Sequence, residues 1–183
     1  LCRMDKGKIT SGRIAADALF AALGLITFLI ESLFPPLFIP GAKMGLSNIF
    51  SLSALVLYGP VDAFVVVAVR TLLGSLFAGN ISALLYSFTG GMAAMLVSWL
   101  LLYLLHPRIS IMAVSIVAAI AHNIVQTLMF VVMSGTALVF SYMPYLALIG
   151  VLSGAIVGAA VLIIFKKDPL SVYEKAINGR GKK

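Results

Sequence analysis

Residues 61–77 read VDAFVVVAVRTLLGSLF, an apolar run of transmembrane length with an arginine, Arg70, near its middle. A guanidinium at that depth in a bilayer costs roughly 3 kcal/mol on insertion scales. It is retained only where it faces a protein interior or a wet cavity and meets an acceptor there. Arg70 therefore predicts a polar site inside a membrane bundle, with an anionic or acceptor-rich group bound in it.

The composition of the whole chain indicates a polytopic membrane protein. Of the 183 residues, 62% are hydrophobic and 10% are charged, and the mean hydropathy is +1.13. Soluble domains carry about 25% charged residues. We predict an all-α fold with a six-helix transmembrane bundle in residues 14–165, between basic tails at 1–13 and 166–183. The six predicted helices are about Ile14–Leu33, Leu46–Tyr58, Val61–Phe77, Ile81–Leu105, Ile109–Met133 and Pro144–Phe165.

The distribution of basic residues predicts the orientation. Eleven of the 13 Lys and Arg residues lie in the two tails or in the turn between the fourth and fifth helices. By the positive-inside rule, both termini are cytoplasmic and residues 34–45 form an external loop. We therefore expect a multi-pass protein of the bacterial cytoplasmic membrane. The net charge of +7 reflects topology and contact with the lipid bilayer, and no nucleic-acid partner is expected.

Most polar residues of the predicted helices fall in the external half, whereas the inner half is almost entirely aliphatic. This asymmetry predicts a pocket for a small molecule that opens outward and is capped by the external loop. The candidate substrate-binding residues are Glu31, Lys43, Asn48, Arg70, Asn80, His122, Asn123, Gln126 and Tyr145.

Several of these residues have a second interpretation that carries no function. Glu31 is also the natural partner for a structural ion pair with Arg70. Tyr145 also fits the aromatic belt at the membrane interface. His122 and Gln126, four residues apart on one helix face, also fit hydrogen bonds between helices. Three residues also fit plain solvated helix ends: Glu31, Lys43 and Asn80.

Catalytic motifs are missing from the sequence. It contains no Walker A sequence, no Ser-His-Asp or Cys-His constellation and no DDxxD stretch. The six acidic residues are isolated along the sequence, which predicts no paired carboxylates in the membrane. We expect no enzyme activity from this chain alone, although a non-catalytic enzyme subunit stays open. No metal site is expected either, because His122 has no Cys or carboxylate neighbour in sequence.

Small residues recur at four-residue spacing on two predicted helices. Gly150, Gly154 and Gly158 lie on the sixth helix, and Ala18 and Ala22 lie on the first. Such stripes allow two helices to approach closely. The glycine stripe predicts packing within the bundle. The alanine stripe fits either packing or the docking of a partner membrane protein.

Five segments together resemble the bacterial "Gx transporter" family, which is also labelled heptaprenyl diphosphate synthase component I. They are PGAKMGLSNI at 40–49, VRTLLG at 69–74, SFTGG at 87–91, HNIVQ at 122–126 and YMPYL at 142–146. The resemblance covers about residues 14–165. One departure is Val125, where the family pattern has glycine.

This family is similar in outline to the substrate-binding S components of energy-coupling factor transporters. The resemblance implies six helices, an outward pocket and an alanine face, here Ala18 and Ala22, that docks on a coupling subunit. It implies uptake of an anionic or amphipathic small molecule (vitamin, flavin or isoprenoid-like), with coupling subunit and ATPases supplied by other chains. One alternative is a membrane component of a flavin- or quinone-linked electron-transfer system, with a bound flavin or quinone and a redox partner protein. Another is a non-catalytic subunit associated with heptaprenyl diphosphate synthase.

Overall fold

The computed structural model describes residues 11–33, 45–79, 81–165 and 169–178. Within those residues the fold is entirely helical, as the sequence predicts. The α-helices and one short 3-10 helix are α1 (Ser11–Leu33), α2 (Asn48–Tyr58), α3 (Pro60–Phe77), α4 (Ile81–Leu105), α5 (Ile111–Ser134), the 3-10 helix Ala137–Tyr142, α6 (Met143–Ile164) and α7 (Pro169–Asn178).

Five described segments are long and apolar enough to cross a membrane: α1, α3, residues 84–105 of α4, α5, and the 28-residue segment Ala137–Ile164 that contains α6. By contrast, α2 has 11 residues and is about 16 Å long at 1.5 Å per residue. It reaches about halfway through a hydrocarbon core of about 30 Å. The six-span count and the cytoplasmic termini therefore stay predictions.

The joint between α2 and α3 is fixed by Gly59 and Pro60. Gly59 has a φ of 93°, a conformation that side chains disfavour, and Pro60 occupies the first turn of α3, where its missing N–H costs nothing. The two helices consequently form a tight antiparallel pair. α1 also begins at this end of the bundle. We call this end the lower end and the opposite end the upper end.

The glycine stripe of α6 packs against α5, as predicted. A Cβ on Gly154 would lie 2.6 Å from the Ile116 Cα, and one on Gly158 would lie 3.1 Å from the Met112 Cα. These backbones therefore approach more closely than any larger residue allows. In a bilayer, such packing replaces the hydrophobic driving force that holds soluble helices together.

The structure differs from the predicted elements at several ends. α2 begins at Asn48 rather than Leu46. α5 begins at Ile111, where the Ser110 side chain accepts a hydrogen bond of 3.2 Å from the Ala113 amide and caps the helix. The 3-10 helix before α6 was not predicted.

A larger difference is α7, in a region where only a basic tail was predicted. Its Tyr173 is buried, with the ring 5.6 Å from the ring of His106 at the end of α4. His106 Nε2 also lies 3.8 Å from the Glu174 carboxylate. Leu170 and Val172 pack on the core next to α2. This ten-residue helix is stabilised by its docking on the lower end, which a short sequence window does not reveal.

Candidate functional site

Arg70 lies inside the bundle, ten residues along α3, and is only 2% exposed. Its Nη1 donates a hydrogen bond to the Ser47 hydroxyl, and its Nη2 donates one of 2.5 Å to the Asn48 carbonyl oxygen. The third donor, Nε, is buried and has no hydrogen-bond partner within the described part of the chain. The expectation that Arg70 faces an interior with acceptors is thus what the structure shows.

Glycines make the space for this side chain. A Cβ on Gly24 of α1 would lie 3.0 Å from the Arg70 Cδ, and one on Gly91 of α4 would lie 3.7 Å from its Nη2. Glycine at these two positions therefore leaves room for the guanidinium, and alanine at either position would reduce that room. The site is built from α1, α3, α4 and the start of α2.

The start of α2 lies at the level of Arg70, about halfway along α3. Asn48 is the first residue of α2, and Ser47 and Leu46 form the turn before it. The N-terminus of α2 therefore lies beside the buried guanidinium, inside the bundle, rather than at the upper end of the bundle. The sequence analysis placed Asn48 in the external half of the bundle. The structure corrects this depth, since α2 spans only the lower half of the bundle.

Glu31 ties the upper end of α1 to this turn. Its Oε1 accepts a hydrogen bond of 2.8 Å from the Leu46 amide. The carboxylate also attracts Arg70 electrostatically. Glu31 therefore has a structural role in holding the turn and contributes a negative charge near the guanidinium.

Two candidates on α5, His122 and Gln126, are buried and share one helix face. His122 lies against α4, because a Cβ on Gly90 would be 3.1 Å from its Cε1. Since Gly90 and Gly91 are adjacent in sequence, α4 brings His122 and Arg70 to the same level of the bundle. Gln126 lies one turn higher on α5.

Asn123 lies between helices rather than with the two residues beside it. Its Nδ2 donates a hydrogen bond of 2.8 Å to the Leu146 carbonyl of α6. This contact joins α5 to the start of α6. The amide nitrogen of Asn123 therefore makes a hydrogen bond between helices, which is the second interpretation given above for His122 and Gln126.

Neither the predicted interfacial tyrosine nor the alanine stripe of α1 joins this cluster, and two further candidates lie outside the described residues. Tyr145 is 64% exposed on α6, which matches the interfacial-belt interpretation. Lys43 and Asn80 lie outside the described residues, as does all of the predicted external loop except Gly45. Ala18 and Ala22 are exposed on α1, on a face that packs on no described helix of this chain.

A charged cluster at the lower end was not anticipated. Arg13 donates two hydrogen bonds to the Asp62 carboxylate, one of them of 2.8 Å from Nε, and a third of 3.2 Å to the Tyr58 carbonyl. Asp17 of α1 lies close to the Asp62 carboxylate. The prediction of isolated acidic residues is therefore wrong in space. Arg13 and Asp17 are four residues apart, and this spacing was the available signal.

A narrow cavity leads down from the Arg70 site. Its lining comes from α2, α4, α5 and α6 and consists of Gly45, Asn48, Leu52, Ala94, Met95, Ser98, Ser115, Ala118, Ala119 and Val157. The free space is about 20 Å³, which is room for one water molecule. Within the described residues, no group of three or more His, Cys, Asp or Glu side chains is placed to hold a metal ion.

The fold is that of the membrane S components of energy-coupling factor transporters. A solved structure of the S component of a bacterial ECF transporter superposes with a TM-score of 0.68 and 20% sequence identity. The match covers 85% of this chain and 94% of that one. At this identity, the likeness concerns the fold.

Residues 20–164 match the model of the family described as heptaprenyl diphosphate synthase component I, and the chain belongs to that family. The resemblance found in the sequence motifs is confirmed. No protein of curated function matches the sequence. Both α7 and the Arg13–Asp17 turn lie outside the matched residues.

Proposed function

We propose that this chain is the substrate-binding membrane subunit of an uptake system and captures a small molecule with an acidic group at Arg70. The observation that carries the proposal is the fully buried guanidinium at mid-membrane depth, with a donor, Nε, that meets no acceptor in the described residues. An uncompensated donor of this kind is costly in a membrane interior. A bound acidic group supplies the missing acceptor.

The geometry around Arg70 favours an anion for a second reason. The N-terminus of α2 lies at the same place, and the dipole of a helix favours negative charge near its N-terminus. Broken helices that end at mid-membrane are a recurring way to bind anionic groups in transporters. The Glu31 carboxylate nearby limits the site to about one acidic group, because it already offsets part of the positive charge.

The other candidates have supporting roles in this proposal. Lys43, from the external loop, is a second anion contact. Hydrogen bonds that orient the ligand come from Glu31, Asn48, Asn80, His122 and Gln126, while Asn123 positions α6 and Tyr145 lies at the outer entrance. Ser47 and Asn48 hold Nη1 and Nη2 of the guanidinium, and the acidic group of the ligand accepts from Nε.

Transport requires partners that supply energy. The exposed stripe of Ala18 and Ala22 on α1 suits close packing with a helix of a membrane coupling subunit. ATPases would then act through that subunit, in the bacterial cytoplasmic membrane. The chain itself carries out no chemistry in this proposal.

The two other functions remain predictions that the same experiment addresses. An electron-transfer component carries a bound flavin or quinone. A synthase subunit co-purifies with a soluble, aspartate-rich enzyme. We give neither precedence, because no contact in the described residues favours it.

The test is native mass spectrometry of the solubilised protein, comparing Arg70→Gln with Arg108→Gln. Arg108 is exposed in the turn after α4, so the control removes the same charge without disturbing the interior. We expect the wild type and the control to carry an acidic small molecule that Arg70→Gln loses. Ultraviolet-visible spectra of the same samples report any flavin.

Expression and thermal unfolding separate binding from folding. If Arg70→Gln loses the ligand but keeps a melting temperature within a few degrees, the guanidinium is a binding group. Retention of the ligand by Arg70→Gln contradicts the proposal. If Arg70→Gln does not express, Arg70→Lys should fold and bind the ligand more weakly than wild type, because lysine keeps the charge but not the donor geometry of the guanidinium. Unchanged affinity of Arg70→Lys would contradict a binding role for the guanidinium.

A further inference from the structure

Arg13 of α1 bridges the joint between α2 and α3 at the lower end. Its Nη2 donates a hydrogen bond of 3.2 Å to the carbonyl of Tyr58, the last residue of α2. Its Nε donates one of 2.8 Å to the carboxylate of Asp62, in the first turn of α3. Gly59 and Pro60 lie between these two acceptors in sequence. One guanidinium therefore binds both helices, one on each side of the joint.

The backbone of the joint does little by itself to fix the angle between the two helices. The ring of Pro60 fixes its φ, but Gly59 has a φ of 93° and no side chain to restrict it. Small changes at this one residue tilt α2 relative to α3. A planar guanidinium that holds a carbonyl and a carboxylate in fixed directions opposes such a tilt. Arg13 is thus placed to set the angle.

The far end of α2 is where a tilt has most effect, because the acceptors of Arg70 lie there. α2 has 11 residues and is about 16 Å long. A tilt of about 10° at the joint moves the far end of such a rod by about 3 Å. Hydrogen bonds tolerate a far smaller displacement. The bonds of Arg70 with Ser47 and Asn48 therefore depend on the angle that Arg13 holds.

A second contact of α1 supports α2 at this far end. The Leu46 amide, in the turn before α2, donates a hydrogen bond of 2.8 Å to Glu31. A Cβ on Gly24 would also lie 3.7 Å from the Ser47 carbonyl oxygen, so α1 packs beside the same turn. α1 thus holds α2 at both ends, with Arg13 at the joint and Glu31 at the opposite turn. A displacement of one end is passed to the other by the intact helix between them.

We infer that Arg13 is a positioning residue of the Arg70 site. It fixes the angle between α2 and α3, and α2 in turn holds Ser47 and Asn48 on the guanidinium at its opposite end. The consequence for ligand affinity rests on the proposed function, whereas the effect on the turn before α2 does not. Loss of the Tyr58 contact should loosen this turn and weaken binding of an acidic group, although Arg13 lies at the other end of α2.

Hydrogen–deuterium exchange of the full chain in lipid nanodiscs measures the turn directly. The amides of Leu46, Asn48 and Ile49 all donate hydrogen bonds there, so they are protected in the wild type. We expect Arg13→Gln to raise their exchange rates about five- to tenfold. Gly154→Ala is the matched control, because it weakens the bundle at the contact of α5 with α6 and leaves the joint intact. It should raise exchange near its own contact and leave the turn close to wild type.

Arg13→Lys separates positioning from stability. Lysine keeps the attraction to the Asp62 carboxylate but lacks the planar fork that reaches the Tyr58 carbonyl as well. We expect Arg13→Lys to restore most of the melting temperature lost in Arg13→Gln, while the fast exchange at the turn persists. A purely structural ion pair would give recovery of both. If Arg13→Gln does not fold, Arg13→Lys decides alone.

Binding of inorganic phosphate, the acidic probe, connects the turn to the site. The affinity for phosphate should fall several-fold in Arg13→Lys and stay unchanged in Arg108→Gln. Wild-type exchange at the turn in both Arg13 variants overturns the inference and leaves the proposed function intact. Fast exchange with unchanged phosphate affinity also overturns it, because the turn then does not position the site. Absence of phosphate binding to the wild type counts against the proposed function, and the exchange rates then decide the role of Arg13.

Discussion

Gly24 of α1 faces Arg70 of α3 so closely that a methyl group on the glycine would lie 3.0 Å from the Arg70 Cδ. The contact is to the middle of the side chain, where a shift of a few tenths of an ångström moves the whole guanidinium. Glycine at position 24 is therefore a condition for the hydrogen bonds of Arg70 with Ser47 and Asn48. A substitution at position 24 therefore changes the position of the Arg70 guanidinium without removing its charge.

Gly24→Ala should weaken ligand binding about tenfold and reduce stability by about 1–3 kcal/mol, because the added methyl group overpacks the site. Gly12→Ala is the matched control, since Gly12 lies on the same helix and nothing lies within 4 Å of its added Cβ. The control should keep binding and stability at or slightly above wild type. Native mass spectrometry and thermal unfolding measure the two quantities. Equal behaviour of both variants would show that Arg70 has more freedom than its contacts imply.

Gly154→Ala should destabilise the bundle by about 1–3 kcal/mol without changing the ligand site directly. Its Cβ would lie 2.6 Å from the Ile116 Cα, and backbone cannot rotate away as a side chain does. Thermal unfolding in detergent is the measurement, with Gly12→Ala again as control. An unchanged melting temperature would mean that α5 and α6 separate easily.

The Arg13–Asp62 pair should be coupled energetically. Removing Arg13 leaves a largely buried carboxylate, so Arg13→Gln should cost about 2–3 kcal/mol, less than a fully buried pair because Arg13 is 20% exposed. The double variant Arg13→Gln with Asp62→Asn should recover part of that loss. A double-mutant cycle of unfolding free energies measures the coupling. Strict additivity would contradict a direct interaction.

Tyr173→Ala should release α7 from the lower end while leaving the membrane bundle folded. Tyr173 is 5% exposed, but α7 is a short helix of ten residues that can unfold locally. Limited proteolysis should therefore remove the last residues several-fold faster, with little change in the main melting transition. Glu174→Ala is the control: it removes only an exposed carboxylate 3.8 Å from His106, so its cleavage rate should stay close to that of wild type. Equal cleavage rates for the two variants would show that α7 does not dock stably on the lower end.

The predicted orientation has a natural reporter, because Cys2 is the one cysteine of the chain. A membrane-impermeant maleimide should leave Cys2 unlabelled in spheroplasts and label it in inverted vesicles. Ser134 lies at the end of α5, at the upper end of the bundle. In a Cys2→Ser background, Ser134→Cys should be labelled in spheroplasts and left unlabelled in inverted vesicles. Labelling of Cys2 from outside would invert the topology.

The sequence was sufficient for the parts of the fold that depend on local pattern. Apolar runs predicted the long helices, glycine spacing predicted packing of α6 within the bundle, and the cost of a charge in lipid predicted that Arg70 is buried. Contacts between distant residues were harder. Ser47 was not among the candidates, because nothing local distinguishes it from other serines near a helix start.

Depth was the weaker part of the prediction. Asn48 was placed in the external half of the bundle, near the external start of the second helix, whereas α2 begins about halfway along α3. Asp17 and Asp62 seemed isolated because their proximity follows from packing of α1 on α3. Tertiary contacts decide such pairs, and a single sequence does not contain them in readable form.

The half-length of α2 has an electrical consequence. A ligand that rests above this helix has passed through about half of the bilayer and therefore through part of the transmembrane voltage. For one negative charge this amounts to about 1 kcal/mol per 100 mV, half of the full value. In an energised cell with a negative interior, the affinity for an anion entering from outside should fall by several-fold, so occupancy becomes a function of membrane potential.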